Sequence, residues 1–229
     1  MWFVVTVIAF LAARGLSHKV RSPFLNPLLV SVAVIIIILM SLNISFEQYY
    51  AENKFVTDLL QPAVVALAYP LYEQLPQIRK NWKIILLTCT IGSTMSMLSA
   101  TIIAAYFQAN PTLLASIVAK SVTTPIAMVI SSHLGGEPAI TAIFVLIVGL
   151  VGSIIAYPLY TLFNVTHPIA RGLTMGTVSH ALGTATAAEK TPNDAAYSSL
   201  ALVICGIITS ILAPTFFSIA ISFQQYMYA

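Results

Sequence analysis

Apolar runs follow one another along almost the whole chain, cut by short polar corners. Met1 to about Leu16 reads as a short apolar helix. The next runs to Leu42 through the wholly apolar block Val32–Leu39, and either Ser22-Pro23 or Asn26-Pro27 suits its N-cap and first turn. Residues 43–58 are polar and of mixed charge and are expected on the outer face, opposite the cytoplasm. Leu59–Leu75 is apolar but interrupted by Pro62 and Pro70, and Pro76 ends it. Ile84–Phe107, Ala139–Phe163 and Ala195 to about Phe223 are clean runs, each with the ~20 residues that cross a bilayer.

Two stretches break the pattern. Thr112–Ser131 carries Lys120, Ser121, Thr123, Thr124 and Pro125 inside an otherwise aliphatic run, and Ile169–Ala188 is rich in small and polar residues. A shift of 57 residues lays one on the other without a gap from Pro111 to Ala156: Pro111 falls on Pro168, Gly149 on Gly206, Ser153 on Ser210, and the acidic corner at Glu137 on Asp194. The two polar breaks are therefore equivalent.

Charge then orients the chain. Arg14, His18, Lys19 and Arg21 form one basic loop, Arg79, Lys80 and Lys83 a second, and Arg171 marks the corner near Pro168; basic loops face the cytoplasm. Pro111–Phe163 must change sides once, so only one of its two parts spans, and Thr112–Ser131 is expected to dip in and return. The expectation is an all-α integral membrane protein: about six spanning helices, two broken or re-entrant segments and an inverted internal repeat, as in secondary transporters. Eight spans and parallel units follow instead if both broken segments cross. The chain reads as one transmembrane domain, 1–229. Its N-terminal helices occupy 1–107 and include the interrupted segment 59–75; the repeat units are 111–163 and 168–223.

Composition agrees: 59% of the 229 residues are hydrophobic and 7% charged, against roughly 25% charged in a soluble domain. Cys89 and Cys205 both lie in apolar runs and read as small core residues. No phosphate-binding glycine loop, metal-spaced His/Cys set, basic nucleic-acid patch or nucleophile elbow is recognisable, so no enzyme, cofactor or nucleic-acid function is expected. Met1–Ala13 lacks a basic leader and reads as a first span.

A lysine at membrane depth costs on the order of 2.5–3.5 kcal/mol on insertion scales and calls for a function. Lys120, Thr123 and Thr124 share a helical face, and with Ser121 they suit a small carboxylate; the alternatives are a lysine that snorkels to the interface or pairs with Glu137. In the second break, Gly172, Gly176, His180 and Thr184 recur every four residues, which makes a close-packing stripe or, with Ser179 and Gly183 beside it, a line of donors. His180 is either a packing histidine or a substrate contact able to couple to a proton. Asn26, Gln61, Tyr69 and Glu73 are candidate cavity or coupling positions, explained equally by capping or, for Glu73, by a basic partner at the interface. The coupling ion is H+ or Na+ if there is one.

These residues also carry a resemblance. Asn26–Leu29, Leu59–Tyr72, Lys120–Ala127, Arg171–Leu173, Ser179–Ala185 and Ser198–Val203 resemble the LrgB-like family, over nearly the whole chain. The resemblance implies a multi-pass protein of the bacterial inner membrane; a homo-oligomer is a further candidate assembly. One description of the family is an antiholin-like regulator of murein hydrolase export and lysis, acting with a small holin-like membrane partner of the LrgA type. The other follows a plastid relative, a fusion of both partners, which translocates glycolate and glycerate, and bacterial relatives linked to pyruvate and similar acids. The residues themselves lean to a transporter of small organic anions by alternating access.

Overall fold

The structure is a computed structural model and describes residues 1–20, 27–59, 62, 65, 66, 68–73 and 75–228. Among them the regular structure is helical throughout, which bears out the all-α expectation. Asn26 and Gln61 lie outside the described residues. The chain forms two compact units, 1–62 and 63–229.

The first unit holds α1 (Trp2–Val20), α2 (Pro27–Ser41) and α3 (Phe46–Asp58). Residues 46–58 are thus a helix, capped by Ser45, whose side chain accepts from the Gln48 N–H. It is tied to α1 by Thr6 Oγ1 to the Tyr49 hydroxyl at 2.8 Å, and by the Trp2 N–H donating to Glu52 at 2.8 Å. The amino terminus and that N–H, both bonded to Glu52, hold its carboxyl below the usual carboxylate range. Arg14 and Lys19, expected in a loop, lie within α1. At 1.5 Å per residue the 15-residue α2 is about 22 Å long, short of the ~30 Å hydrocarbon core.

The second unit holds α4 (Ala68–Glu73), α5 (Leu75–Tyr106), α6 (Pro111–Ile117), α7 (Thr124–His133), α8 (Pro138–Leu162), α9 (Pro168–Lys190) and α10 (Pro192–Tyr228). Pro76 opens α5 instead of ending the preceding segment, since proline is tolerated in a first turn where its missing N–H has no partner to lose. Arg79, Lys80 and Lys83, expected in a loop, are helical too, and the chain bends among them at Asn81 (φ −123°, ψ 20°). Among the described residues three helices are long and apolar enough to cross a membrane: Ile78–Tyr106, Pro138–Leu162 and Pro192–Tyr228. They coincide with the three clean runs; the two N-terminal apolar helices are shorter.

The polarity of α8 is inverted relative to a soluble helix. Its exposed stripe is Ile143, Ile147, Val151, Ile155 and Leu159, while its buried side carries Thr141, Val145, Gly149 and Gly152. An apolar stripe outward and small or polar residues inward is what lipid outside and helix contacts inside require. Among the described residues three buried clusters knit the unit. Met97, Val118, Val122, Ala127, Val145 and Ala213 join α5, the α6–α7 segment, α8 and α10; Ile85, Cys89, Leu173, Leu200 and Cys205 join α5, α9 and α10; Ala105, Leu114 and Ala220 join α5, α6 and α10. Cys89 and Cys205 are free buried thiols within the second.

Candidate functional site

Both polar stretches are broken helices that turn back on themselves. The first opens at Asn110, whose side chain caps the Leu113 N–H, and runs through α6. Ser121 to Thr123 are not helical, and Pro125 lies in the first turn of α7. After α7 the chain is back beside α6: the Glu137 N–H donates to Ser116 Oγ at 2.8 Å, and a Cβ on Gly136 would lie 2.8 Å from the Ser116 nitrogen.

The second opens at His167, whose ring accepts the Ile169 N–H, and breaks at His180, which sits at φ 40°, ψ −129°. A Cβ on Gly183 would lie 2.8 Å from the Met175 carbonyl oxygen, an approach impossible along a straight helix. The chain is again back at its start, with Arg171 and Asp194 paired at 3.0 Å. The shift of 57 residues lays cap on cap (Asn110, His167) and break on break (Thr123, His180).

Each tip has its own chemistry. Lys120 is half-buried, and its Nζ donates to Ser96 Oγ at 3.1 Å and Ser121 Oγ at 3.2 Å, while Ser96 Oγ donates to Ser121 Oγ at 2.7 Å. Among the described residues no carboxylate lies within ion-pair distance of Lys120, so the pairing with Glu137 is not formed and Glu137 is exposed. Thr123 is buried with its hydroxyl unpartnered, and Thr124 is half-buried at the start of α7.

At the second tip, His180 Nε2 donates to the Val145 carbonyl at 2.9 Å. That bond puts the proton of the neutral ring on Nε2 and leaves Nδ1 as a buried acceptor without a partner. The neighbouring Ser179 hydroxyl, also buried and unpartnered, sits against Gly152, where a Cβ would come within 1.9 Å. Unpaired buried polar atoms cost about 1–3 kcal/mol each, and native structures keep few of them.

The line Gly172, Gly176, His180, Thr184 does not form one face, because the helix breaks at His180 and the chain reverses there. The glycines are a packing stripe: Cβ atoms would lie 2.6 Å from the Asp194 carbonyl oxygen at Gly172 and 2.2 Å from that of Ser198 at Gly176. Thr184 meets the same helix from the returning arm, its hydroxyl 2.8 Å from Ser198 Oγ. His180 turns away to α8. Tyr69 and Glu73 are exposed on one side of α4.

Residues missed by sequence reasoning complete the first tip. A crevice too narrow for a water-sized sphere is lined by Ser93 and Ser96 from α5, Ser121 from the first tip, Thr177 from α9 and Thr209 from α10. Ser93 Oγ is buried there without a partner. Their only signal in the sequence is that of small residues in a span, which reads as close packing.

The LrgB-like family model matches residues 6–219. An uncharacterized protein of Haemophilus influenzae is 43% identical over 96% of this chain and 95% of its own length. Protein YwbG of Bacillus subtilis is 36% identical, covering 92% of this chain and 93% of its own. The holin-like protein CidB of Staphylococcus aureus is 31% identical, covering 93% of each. No solved structure matches. With three membrane-capable helices among its described residues and a family match along nearly its whole length, the chain belongs to the LrgB-like family.

Proposed function

We propose that the protein is the LrgB-type member of a holin-like system in the bacterial inner membrane, an antiholin-like regulator of murein hydrolase export and lysis acting with a small holin-like partner of the LrgA type. The observation that supports this reading is the full-length similarity to CidB, which bears the name holin-like protein. It favours regulation over self-sufficient transport. Deleting the chain from its host is expected to change murein hydrolase activity in the medium, with restoration by the wild-type chain. Unchanged activity in a host that still expresses the partner overturns it.

A second reading has its own support in the geometry. An ammonium held only by hydroxyls, beside buried polar atoms without partners at two equivalent tips, suits a small monocarboxylate such as glycolate, glycerate, pyruvate or a hydroxypropionate. On this reading Lys120, Ser121, Thr123 and Thr124 bind from one re-entrant hairpin and Ser179, His180, Gly183 and Thr184 contribute from the other. The two form an inverted repeat working by alternating access, with H+ or Na+ as the coupling ion. Saturable uptake in reconstituted vesicles supports it; non-saturable leak of unrelated solutes of similar size favours a pore.

A further inference from the structure

The two hairpins share a plan but are not held alike. At the base of the second, Arg171 Nη2 donates to Asp194 Oδ1 at 3.2 Å, and Nε lies 3.0 Å from Oδ2 as an ion-pair contact without hydrogen-bond geometry. The Tyr157 hydroxyl, from α8, donates to Asp194 Oδ2 at 2.8 Å, and the Tyr160 hydroxyl donates to the Arg171 carbonyl at 3.1 Å. Asp194 is wholly buried. The cluster ties together the arm entering the hairpin, the helix leaving it and the long helix α8.

The repeat puts Leu114 and Glu137 at the positions of Arg171 and Asp194. Leu114 is buried and apolar, and Glu137 is exposed, so no charge pair can form. Hydroxyl bonds close this base instead: Glu137 N–H to Ser116 Oγ, and Thr141 Oγ1 to Ser131 Oγ at 2.7 Å. The flanks differ as well. A half-open groove of about 290 Å³ runs along the flank where α7 packs on α10, lined by Pro125, Val129 and Ile130 on one side and Ser210 and Pro214 on the other. At the second hairpin, His180 and Leu182 fill the space against Gly149.

We propose that the second hairpin is a fixed abutment, clamped by the Arg171–Asp194–Tyr157 cluster, and that the first hairpin, which carries Lys120, is the moving element. Its returning arm swings into the space beside Pro214, a helix position where the missing N–H leaves the Ser210 carbonyl without its helical donor and weakens the ladder. That motion opens the hydroxyl crevice at Lys120 while His180 stays on Val145. The inference concerns mechanics alone and does not depend on which solute or partner the site serves.

Hydrogen–deuterium exchange on the full-length protein in lipid nanodiscs, with no solute added, tests it. Amides of 168–190 are expected to exchange at least about tenfold more slowly than those of 111–133. Asp194→Asn is expected to speed exchange in 168–190 and leave 111–133 unchanged. Tyr157→Phe, which removes one hydrogen bond and keeps the ring, is expected to do the same to a smaller extent, and it carries the test if Asp194→Asn does not fold. Equal protection of the two hairpins in the wild type overturns the proposal. So does unchanged exchange in 168–190 in the variants that fold.

Discussion

His180 Nε2 donates to the backbone carbonyl of Val145 across 2.9 Å, and this bond joins the break in α9 to the long helix α8. Gly149, one turn along α8, makes it possible: a Cβ there would lie 2.6 Å from Nε2 and 2.7 Å from Cε1. The glycine clears a berth for the ring, and the carbonyl fixes its tautomer.

Gly149→Ala is therefore expected to push the ring off α8 and destabilise the protein by about 1–3 kcal/mol, the usual cost of overpacking. Gly15→Ala, in a helix where nothing lies within 4 Å of the added methyl, is the control and is expected to cause no loss. Thermal unfolding in detergent compares the two. Equal effects would mean that the berth is not tight.

Removing one partner of the Arg171–Asp194 pair has unequal consequences. Asp194 is wholly buried, whereas the Arg171 side chain is 23% exposed and can still reach water. Arg171→Met strands a buried carboxylate and is expected to cost about 3–5 kcal/mol; Asp194→Asn is expected to cost less. Pulse proteolysis of both variants checks the order, and the reverse order refutes the assignment.

Lys120→Ala is expected to abolish any saturable uptake of a small monocarboxylate. Ser96→Ala leaves the charge in place and removes one of the two hydroxyls that aim it. Its expected effect is a weaker apparent affinity by about tenfold, the scale of one hydrogen bond to a charged group, with transport retained. Uptake in vesicles separates the two. A Ser96→Ala protein as inactive as Lys120→Ala would make Ser96 a folding residue.

Ser132, in the last turn of α7, and Asn193, in the first turn of α10, are both exposed. With Cys89 and Cys205 replaced, single cysteines there are expected to react with an impermeant thiol reagent from opposite sides, Ser132 from outside and Asn193 from inside. Labelling from one side would reject the inverted repeat.

Much of the fold was legible in the sequence because membrane depth is a severe filter. Backbone groups in lipid must be bonded within their own segment, so a long apolar run has little choice but a helix. Ile84–Phe107, Ala139–Phe163 and Ala195–Phe223 were set in this way. That both stretches are interrupted was legible too, as Lys120 and Pro125 fit poorly in such a run and the shift of 57 residues pairs the two stretches. That the second breaks at His180 was not, because the four-residue spacing of Gly172, Gly176, His180 and Thr184 reads as one continuous face. The helicity of 46–58 and of Arg79–Lys83 was not, because polar and basic residues form helices as readily as loops and only their neighbours decide between them.

What the sequence determined by itself is that this is an all-helical membrane protein with two equivalent polar breaks, because hydropathy, proline and charge act locally along the chain. Tertiary structure alone decided which side chains meet at those breaks. It set Ser96 and Ser121 on the Lys120 ammonium, turned His180 from its expected line onto Val145, and closed one base with Arg171 and Asp194 while leaving the other without a charge pair. The physical reason is reach: a hydrogen bond is satisfied over about 3 Å in space, by residues that the sequence sets 24 or 35 positions apart.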